Sequence, residues 1–304
     1  MKETEKKIKP QLTNLMPNSV LNRIERMRIN SICRFTNRQR GEHLSGRGGT
    51  SMEFSDYRDY SPGDDLRFID WNIYARLNRP YLKLFRIEEE MHLVIIIDAS
   101  NSMMFEGKFE LAKSIAASYG VMGLYGNERV SVYAVNNHGA SIPLHFPASA
   151  GRGNMRKLFH FIENIEGGGT NSIDGGIDEV LKYHKGKGVA LLLSDFFTFG
   201  DIKRSMNSLF SASLEICALQ IMSPSELDPE LNDDSRFIDS ETDLKIDITS
   251  GGDLLSIYHE HKNNFISHLE EIIRQRAGRF MTISSASDIS DILFDNLLRH
   301  GWVK

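Results

Sequence analysis

The fold of this chain is decided by residues 93–102, Leu93-Val94-Ile95-Ile96-Ile97-Asp98-Ala99-Ser100-Asn101-Ser102. The first half is a continuous apolar run rich in β-branched side chains, which is typical of a central parallel strand buried on both faces. The polar residues that follow should lie at the carboxyl end of that strand, and ligands bind at this edge in open α/β sheets. The stretch therefore predicts a buried sheet with a polar site at its edge.

Strand and helix patterns alternate along the chain outward from this strand. Apolar runs predict further strands over 130–135, 141–146, 188–194, 214–222 and 279–284. Apolar residues at helical spacing predict helices over 108–124, 152–165, 173–184, 201–211, 253–276 and 287–299. This alternation predicts an α/β fold with a doubly wound, mostly parallel sheet and helices on both faces.

The N-terminal part and one insertion depart from this alternation. Residues 1–89 have apolar positions at helical spacing over 13–35, interleaved with arginines, and a strand pattern over 81–87. We therefore expect residues 1–89 to form a helix and an extended segment that pack on a main domain, residues 90–304. Within that domain, residues 223–250 predict a β-hairpin inserted between the fifth strand and its helix.

Composition argues against several classes of protein. The 304 residues carry a net charge of −5 with a pI near 6.1, which does not favour a nucleic-acid binder. The longest apolar run is far shorter than the ~20 residues that a transmembrane helix needs. Residues 1–10 also lack the apolar centre of a secretory signal. We expect a cytoplasmic protein, with any peripheral membrane association made through a partner.

Three predicted loops at the carboxyl edge of the sheet carry oxygen ligands. Asp98, Ser100 and Ser102 alternate after the first strand, so a curved loop can direct all three side chains to one point. Thr170 follows three glycines before a helix, and Asp195 ends the fourth strand, which should lie beside the first. Carboxylates and hydroxyls are hard ligands that suit Mg²⁺ or Mn²⁺ and do not suit zinc. These five residues therefore form a candidate metal site.

Two other interpretations of these residues stay open. Ser100 and Ser102 also have the residue type that caps a helix, in which case Asp98 and Asp195 are ordinary residues at strand ends. Alternatively, the site has the right shape but holds no metal in the cell. A vestigial centre that binds no cation predicts that added cations do not change the stability of the protein, because only a ligand that binds the native state does so.

A dense group of charges lies in the N-terminal part. Asp64, Asp65, Arg67 and Asp70 come shortly before Trp71 in the sequence. Pairs of arginine and carboxylate make strong bidentate contacts, so we expect an ion-paired network that docks this segment on the main domain. The functional alternative is a surface that binds a partner.

The pattern of candidate ligands resembles the metal-ion-dependent adhesion site of von Willebrand factor A domains. In those domains D-x-S-x-S ends the first strand, a threonine precedes a helix and an aspartate ends the fourth strand. All five positions match, and the resemblance covers about residues 90–300. Two further segments resemble the bacterial DUF58 family. The signature of that family is similar to Arg58-Asp59-Tyr60-Ser61-Pro62-Gly63-Asp64-Asp65-Leu66-Arg67-Phe68-Ile69-Asp70-Trp71, followed by Ala75-Arg76. Its D-x-E-T-G segment is similar to Asp239-Ser240-Glu241-Thr242-Asp243, in which aspartate replaces the final glycine.

The resemblance implies a Rossmann-like fold and a mode of action. It implies that the two serines coordinate the cation directly, that the threonine does so directly or through water, and that the aspartates often act through bound waters. One coordination position stays open for an aspartate or glutamate of a partner protein. DUF58 proteins are often associated with MoxR-type AAA+ ATPases, which implies an adaptor role with such a motor.

We therefore expect a non-enzymatic, metal-dependent protein-interaction module without catalytic residues. An enzymatic alternative is a Mg²⁺-dependent hydrolase or phosphatase that uses Asp98 and Asp195. Such an enzyme needs an activated water and a base within hydrogen-bond reach. A third hypothesis is a structural subunit whose metal site is vestigial.

Overall fold

The chain divides by its internal contacts into two compact units. The larger unit combines Met1–Ile32 with His92–Lys304, and the smaller one is Cys33–Met91. The first helix thus belongs with the larger unit, whereas the sequence-based division at residues 89 and 90 assigns it to the N-terminal part. The computed structural model describes residues 11–32, 36–37, 52–88, 91–137, 142–170, 172–197, 200–229, 235–238, 245–248 and 252–304.

Strands and helices follow one another through the described residues. The strands are β1 (Thr36–Asn37), β2 (Met52–Asp59), β3 (Tyr81–Glu88), β4 (His92–Asp98), β5 (Arg129–Val135), β6 (Leu144–Ser149), β7 (Gly188–Ser194), β8 (Leu214–Met222), β9 (Ser235–Ile238), β10 (Lys245–Ile248) and β11 (Arg279–Ser284). The α-helices are α1 (Asn18–Ile24), α2 (Trp71–Leu77), α3 (Lys108–Tyr125), α4 (Met155–Glu163), α5 (Ile173–Tyr183), α6 (Ile202–Ser211), α7 (Pro224–Leu227), α8 (Gly252–Arg274) and α9 (Ile289–Asp291).

The large sheet lies in the larger unit. Among the described residues it has six strands in the order β11-β8-β7-β4-β5-β6. Neighbouring strands pair in parallel except β5 and β6, which are antiparallel. β7 and β8 are buried along their whole length, as their mainly apolar sequences predict. The predicted doubly wound, mostly parallel sheet is confirmed.

Both faces of the sheet are covered by helices. On one face, Val94 and Ile96 belong to a buried cluster that includes Ile177 of α5 and residues of α6 and α8. On the other face α3 lies so close to the sheet that a Cβ atom on Gly123 would be 2.6 Å from Val130 Cγ2. Glycine is therefore required at this crossing, and α3 is buried on nearly all sides.

The predicted helix over residues 13–35 is mostly wrong. Among the described residues 13–32 only α1 is helical, and it is followed by an extended segment that pairs with the C-terminus. The backbone N–H of Arg28 donates to the carbonyl oxygen of Lys304 at 2.7 Å, and that of Asn30 to Trp302 at 3.0 Å. These long-range hydrogen bonds replace the local bonds of a helix. The spacing of apolar residues in the sequence does not show whether such long-range hydrogen bonds form, so it cannot predict that they replace a helix.

The smaller unit contains a strand that the sequence analysis missed. β2 pairs antiparallel with β3, although it lies in a region dominated by turn-forming residues. The charged residues of this segment form local pairs: Asp70 both caps α2 and lies 3.1 Å from Lys83 Nζ, and Arg67 pairs with Asp65. The docking of this segment on the main domain stays a prediction. Trp71 is exposed.

The predicted insertion between the fifth strand and its helix is also confirmed. β9 and β10 form an antiparallel pair between β8 and α8. Residues 239–243, which carry the D-x-E-T-G resemblance, lie outside the described residues, as do residues 1–10. In the described ranges, no helix is both long enough and apolar enough to cross a membrane.

A buried ion pair ties the N-terminal segment to the amino end of the sheet. Arg279 Nη2 donates to Glu215 Oε1 at 2.7 Å and to the carbonyl oxygen of Asn30 at 2.7 Å. The other carboxylate oxygen of Glu215 accepts from Ser31 Oγ and from the backbone N–H of Ile32. One carboxylate thus holds both a neighbouring strand and the extended segment after α1.

We expect Glu215→Gln to lower the free energy of unfolding by about 3 kcal/mol, because it leaves the largely buried guanidinium of Arg279 without the carboxylate that pairs with it. Urea unfolding measures this change. The matched control is Glu270→Gln, which removes the exposed partner of Arg274 on α8 and should cost less than ~1 kcal/mol. Equal losses in the two variants would contradict a special role for the buried pair.

Candidate metal centre

Asp98 is the last residue of β4 and is held by hydrogen bonds from three separate segments. Its side chain is 4 % exposed. Oδ1 accepts from the backbone N–H of Ser100 at 3.1 Å and from Asn136 Nδ2 at 3.0 Å. Oδ2 accepts from Ser194 Oγ at 2.6 Å. The carboxylate therefore has a fixed orientation at the carboxyl edge of the sheet.

Burial makes the negative charge of Asp98 costly. Two causes raise the pKa of Asp98 from 3.8 to about 6. Burial away from solvent is the larger, and repulsion from the nearby Asp195 carboxylate is the smaller. The three hydrogen bonds oppose this shift but do not cancel it. A bound cation would oppose the shift, because its positive charge favours the ionised carboxylate.

Ser100 and Ser102 bring two hydroxyl groups together after β4. Both side chains are buried, and their Oγ atoms lie 3.1 Å apart. Adjacent ligands of an octahedral Mg²⁺, each about 2.1 Å from the ion, are roughly 3.0 Å apart. The spacing of the two hydroxyls therefore fits a pair of adjacent cation ligands.

The glycine-rich loop before α5, residues 167–170, packs against the loop after β4, residues 99–102, which is called the serine loop here. The backbone N–H of Asn101 donates to the carbonyl oxygen of Gly169 at 2.9 Å, and that of Gly169 donates to Ala99 at 3.3 Å. A Cβ atom on Gly169 would lie 2.0 Å from the carbonyl oxygen of Asn136, so only glycine permits this approach. Thr170 follows directly and is exposed, whereas the aspartates and serines are buried.

Asp195 follows β7, and β7 pairs with β4 as predicted. Its side chain is 1 % exposed. Oδ2 accepts from Lys108 Nζ at 2.8 Å, and Oδ1 accepts from the backbone N–H of Phe197 at 3.1 Å. Because each carboxylate oxygen has two lone pairs, each retains a position for a further donor or a cation.

Three residues of this site were missed in the sequence. Asn136 and Ser194 hold Asp98, and both lie at strand ends on the same edge, where the rule that located the other ligands also points. Lys108 gave no such signal, since a lysine at the start of a helix is usually a surface residue. Its contact with Asp195 is visible only in the folded chain.

The donor set fits a hard, hydrated cation. Throughout the described residues, no group of three or more His, Cys, Asp or Glu side chains is arranged to hold a metal ion. A cation at this centre would therefore depend on hydroxyl groups and water in addition to Asp98 and Asp195. Mg²⁺ commonly keeps several waters and takes one or two carboxylates, so this composition suits it.

Comparisons with known proteins give distant similarities. The uncharacterized protein Rv1480 of Mycobacterium tuberculosis is 26 % identical over 201 residues, which cover 64 % of this chain and 62 % of the relative's length. The crystal structure of BatB from Bacteroides thetaiotaomicron is 12 % identical with a TM-score of 0.41, covering 69 % of this chain and 98 % of that one. A von Willebrand factor type A structure from Catenulispora acidiphila is 18 % identical with a TM-score of 0.32, covering 46 % and 35 %.

The family comparison identifies the group of proteins to which the chain belongs. The family described as "Protein of unknown function DUF58" matches residues 56–262, which include β4, the serine loop, the glycine-rich loop and β7. This match extends over more than half of the sequence, and it contains every candidate ligand named above. The chain therefore belongs to the DUF58 family.

Proposed function

We propose that this protein is a non-enzymatic interaction module that binds a carboxylate of a partner protein through Mg²⁺ or Mn²⁺. The cation ligands are Asp98, Ser100, Ser102, Thr170 and Asp195, directly or through water. The observation that carries the proposal is that two buried hydroxyls, 3.1 Å apart, follow the buried Asp98 at the end of β4, beside the strand β7 that Asp195 follows. Hydrogen bonds already orient both carboxylates before any ligand arrives.

The charge balance of the centre supports capture of an acidic group. Of the two carboxylates, Asp195 already forms an ion pair with Lys108. A divalent cation would therefore keep part of its positive charge and attract a further carboxylate. Because Mg²⁺ retains waters in its shell, a partner's Asp or Glu replaces one of them without disturbing the protein ligands.

On the same contacts we favour cation binding over catalysis. A general base must be free to take a proton from a bound water. Asp98 accepts three hydrogen bonds, and Asp195 is shared between Lys108 and the backbone N–H of Phe197. Their geometry suits holding a cation better than activating water, so we favour the interaction module over the Mg²⁺-dependent hydrolase or phosphatase.

The partner that we propose is a MoxR-type AAA+ ATPase. The support for this choice is the DUF58 resemblance of the sequence. In this proposal the chain is an adaptor, and an acidic side chain of the ATPase or of its substrate completes the coordination of the cation. The exposure of Thr170 at the rim of the centre is compatible with access for such a group.

We expect millimolar Mg²⁺ or Mn²⁺ to raise the stability of the wild-type protein relative to excess chelator. The gain is about 2.7 kcal/mol when the free cation is at 100 times its Kd. Thermal unfolding measures it. Asp98→Asn should abolish the gain, whereas Asp295→Asn, which neutralises an exposed carboxylate, should keep it. The absence of any gain in wild type would favour a vestigial site.

The raised pKa of Asp98 predicts a pH dependence with a definite sign. The folded-state pKa, about 6, lies above the unfolded value of 3.8, so the protonated carboxyl stabilises the fold at low pH. This contribution is lost as the pH rises through about 6. Without cations, wild type should therefore lose about 2–3 kcal/mol relative to Asp98→Asn between about pH 4 and pH 7. Urea unfolding at a series of pH values tests this, and a constant difference would contradict it.

We expect the protein to capture the MoxR-type ATPase of its own genome in Mg²⁺ and to lose it in chelator. Asp98→Ala should weaken capture at least tenfold, because the cation loses its buried anchor, while Asp295→Asn should not. Pull-down followed by titration of the purified partner measures the affinity. Capture by Asp98→Ala at wild-type affinity would refute binding through the cation.

A further inference from the structure

Lys108 is a fully buried lysine that bridges two carboxylates. It is the first residue of α3, and its side chain is 0 % exposed. Its Nζ atom lies 2.8 Å from Asp195 Oδ2 and 2.6 Å from Glu226 Oε1. A buried ammonium group is strongly disfavoured unless it is paired, so these two carboxylates account for its position.

Glu226 is itself held in place and does not follow the lysine freely. Its other carboxylate oxygen accepts from the backbone N–H of Ser223 at 2.7 Å, and this contact is half of a capping box at the start of α7. The carbonyl oxygen of Glu226 accepts from Tyr258 Oη of α8 at 2.6 Å. The positive charge of Lys108 is therefore divided between a candidate cation ligand and a carboxylate that α7 and α8 fix.

We propose that Lys108 sets the cation affinity of the centre. Its ammonium group offsets the charge of Asp195, and Glu226 limits this offset by taking part of the same ammonium charge. The inference rests on the proposed function, since it concerns the cation at that centre. In this scheme Lys108 and Glu226 are positioning residues, because they act through Asp195 and do not contact the cation.

The arrangement has opposite consequences for the cation and for the partner. Without Lys108, a cation would meet the full charge of Asp195 as well as that of Asp98, and it would bind more tightly. With Lys108 present, the cation is held less tightly but keeps more positive charge for an incoming carboxylate. Without Glu226, Lys108 would act on Asp195 alone, and the cation would bind more weakly.

Direct titration of the chelator-treated protein with Mn²⁺ tests this scheme, with the free ion followed by electron paramagnetic resonance. We expect Lys108→Met to lower the Kd for Mn²⁺ at least tenfold and Glu226→Gln to raise it several-fold. The matched control is Lys113→Met, which removes a buried positive charge from the same helix at a residue that pairs with Glu110. Its Kd should stay within about twofold of wild type.

The outcomes separate this inference from the proposed function. If wild type binds Mn²⁺ and Lys108→Met binds it no more tightly, the role of Lys108 is refuted and the cation site stands. If only Lys108→Met binds, the role of Lys108 is supported, and the cation-dependent function of the wild-type protein is refuted. If no variant binds, both fail.

Folding of each variant is checked by circular dichroism in chelator. Lys108→Met leaves two carboxylates without their buried counter-charge, so it is the variant most at risk of unfolding. If it does not fold, Glu226→Gln decides the question alone. A Kd that is equal to or below that of wild type in Glu226→Gln would overturn the proposal.

Discussion

Asp98 and Asp195 meet because β4 and β7 pair in parallel, with Ile97 opposite Leu193. The pairing brings the ends of β4 and β7 to one edge of the sheet. Asp98, at the end of β4, therefore lies near Asp195, which follows β7. The nearby charge of Asp195 is one of the causes of the raised pKa of Asp98. The hydrogen bonds to Asp98 and the ion pair of Lys108 with Asp195 stabilise two carboxylates that are both buried.

The protein compensates for these carboxylates in two different ways. Neutral donors orient Asp98, whose negative charge remains uncompensated, whereas Lys108 supplies Asp195 with a positive charge. This asymmetry makes the centre suitable for one additional cation of moderate affinity. It also connects the centre through Glu226 to α7 and α8, which flank the inserted pair of strands. The charge of the centre is thus linked to a part of the fold outside the two neighbouring strands.

Prediction from the sequence succeeded where burial on both faces dictates composition. The bounds of β7 and β8 agree with the predicted strands, because both strands are buried along their whole length and such strands favour apolar residues. It was less successful where long-range backbone pairing competes with local preference. The segment after α1 has helical periodicity but pairs with the C-terminus, and β2 has turn-forming residues but pairs with β3.

The sequence by itself determined the sheet, the hairpin insertion and the five candidate ligands, since each depends on a local pattern followed by the rule that parallel strands end at one edge. Only the tertiary structure revealed Lys108, Asn136 and Ser194 as their partners. The physical reason is that a hydrogen bond or an ion pair requires approach to within about 3 Å. Asn136 and Ser194 lie 38 and 96 positions from Asp98 in the sequence, and Lys108 lies 87 positions from Asp195. Residues so far apart in the sequence come this close only when the whole chain folds.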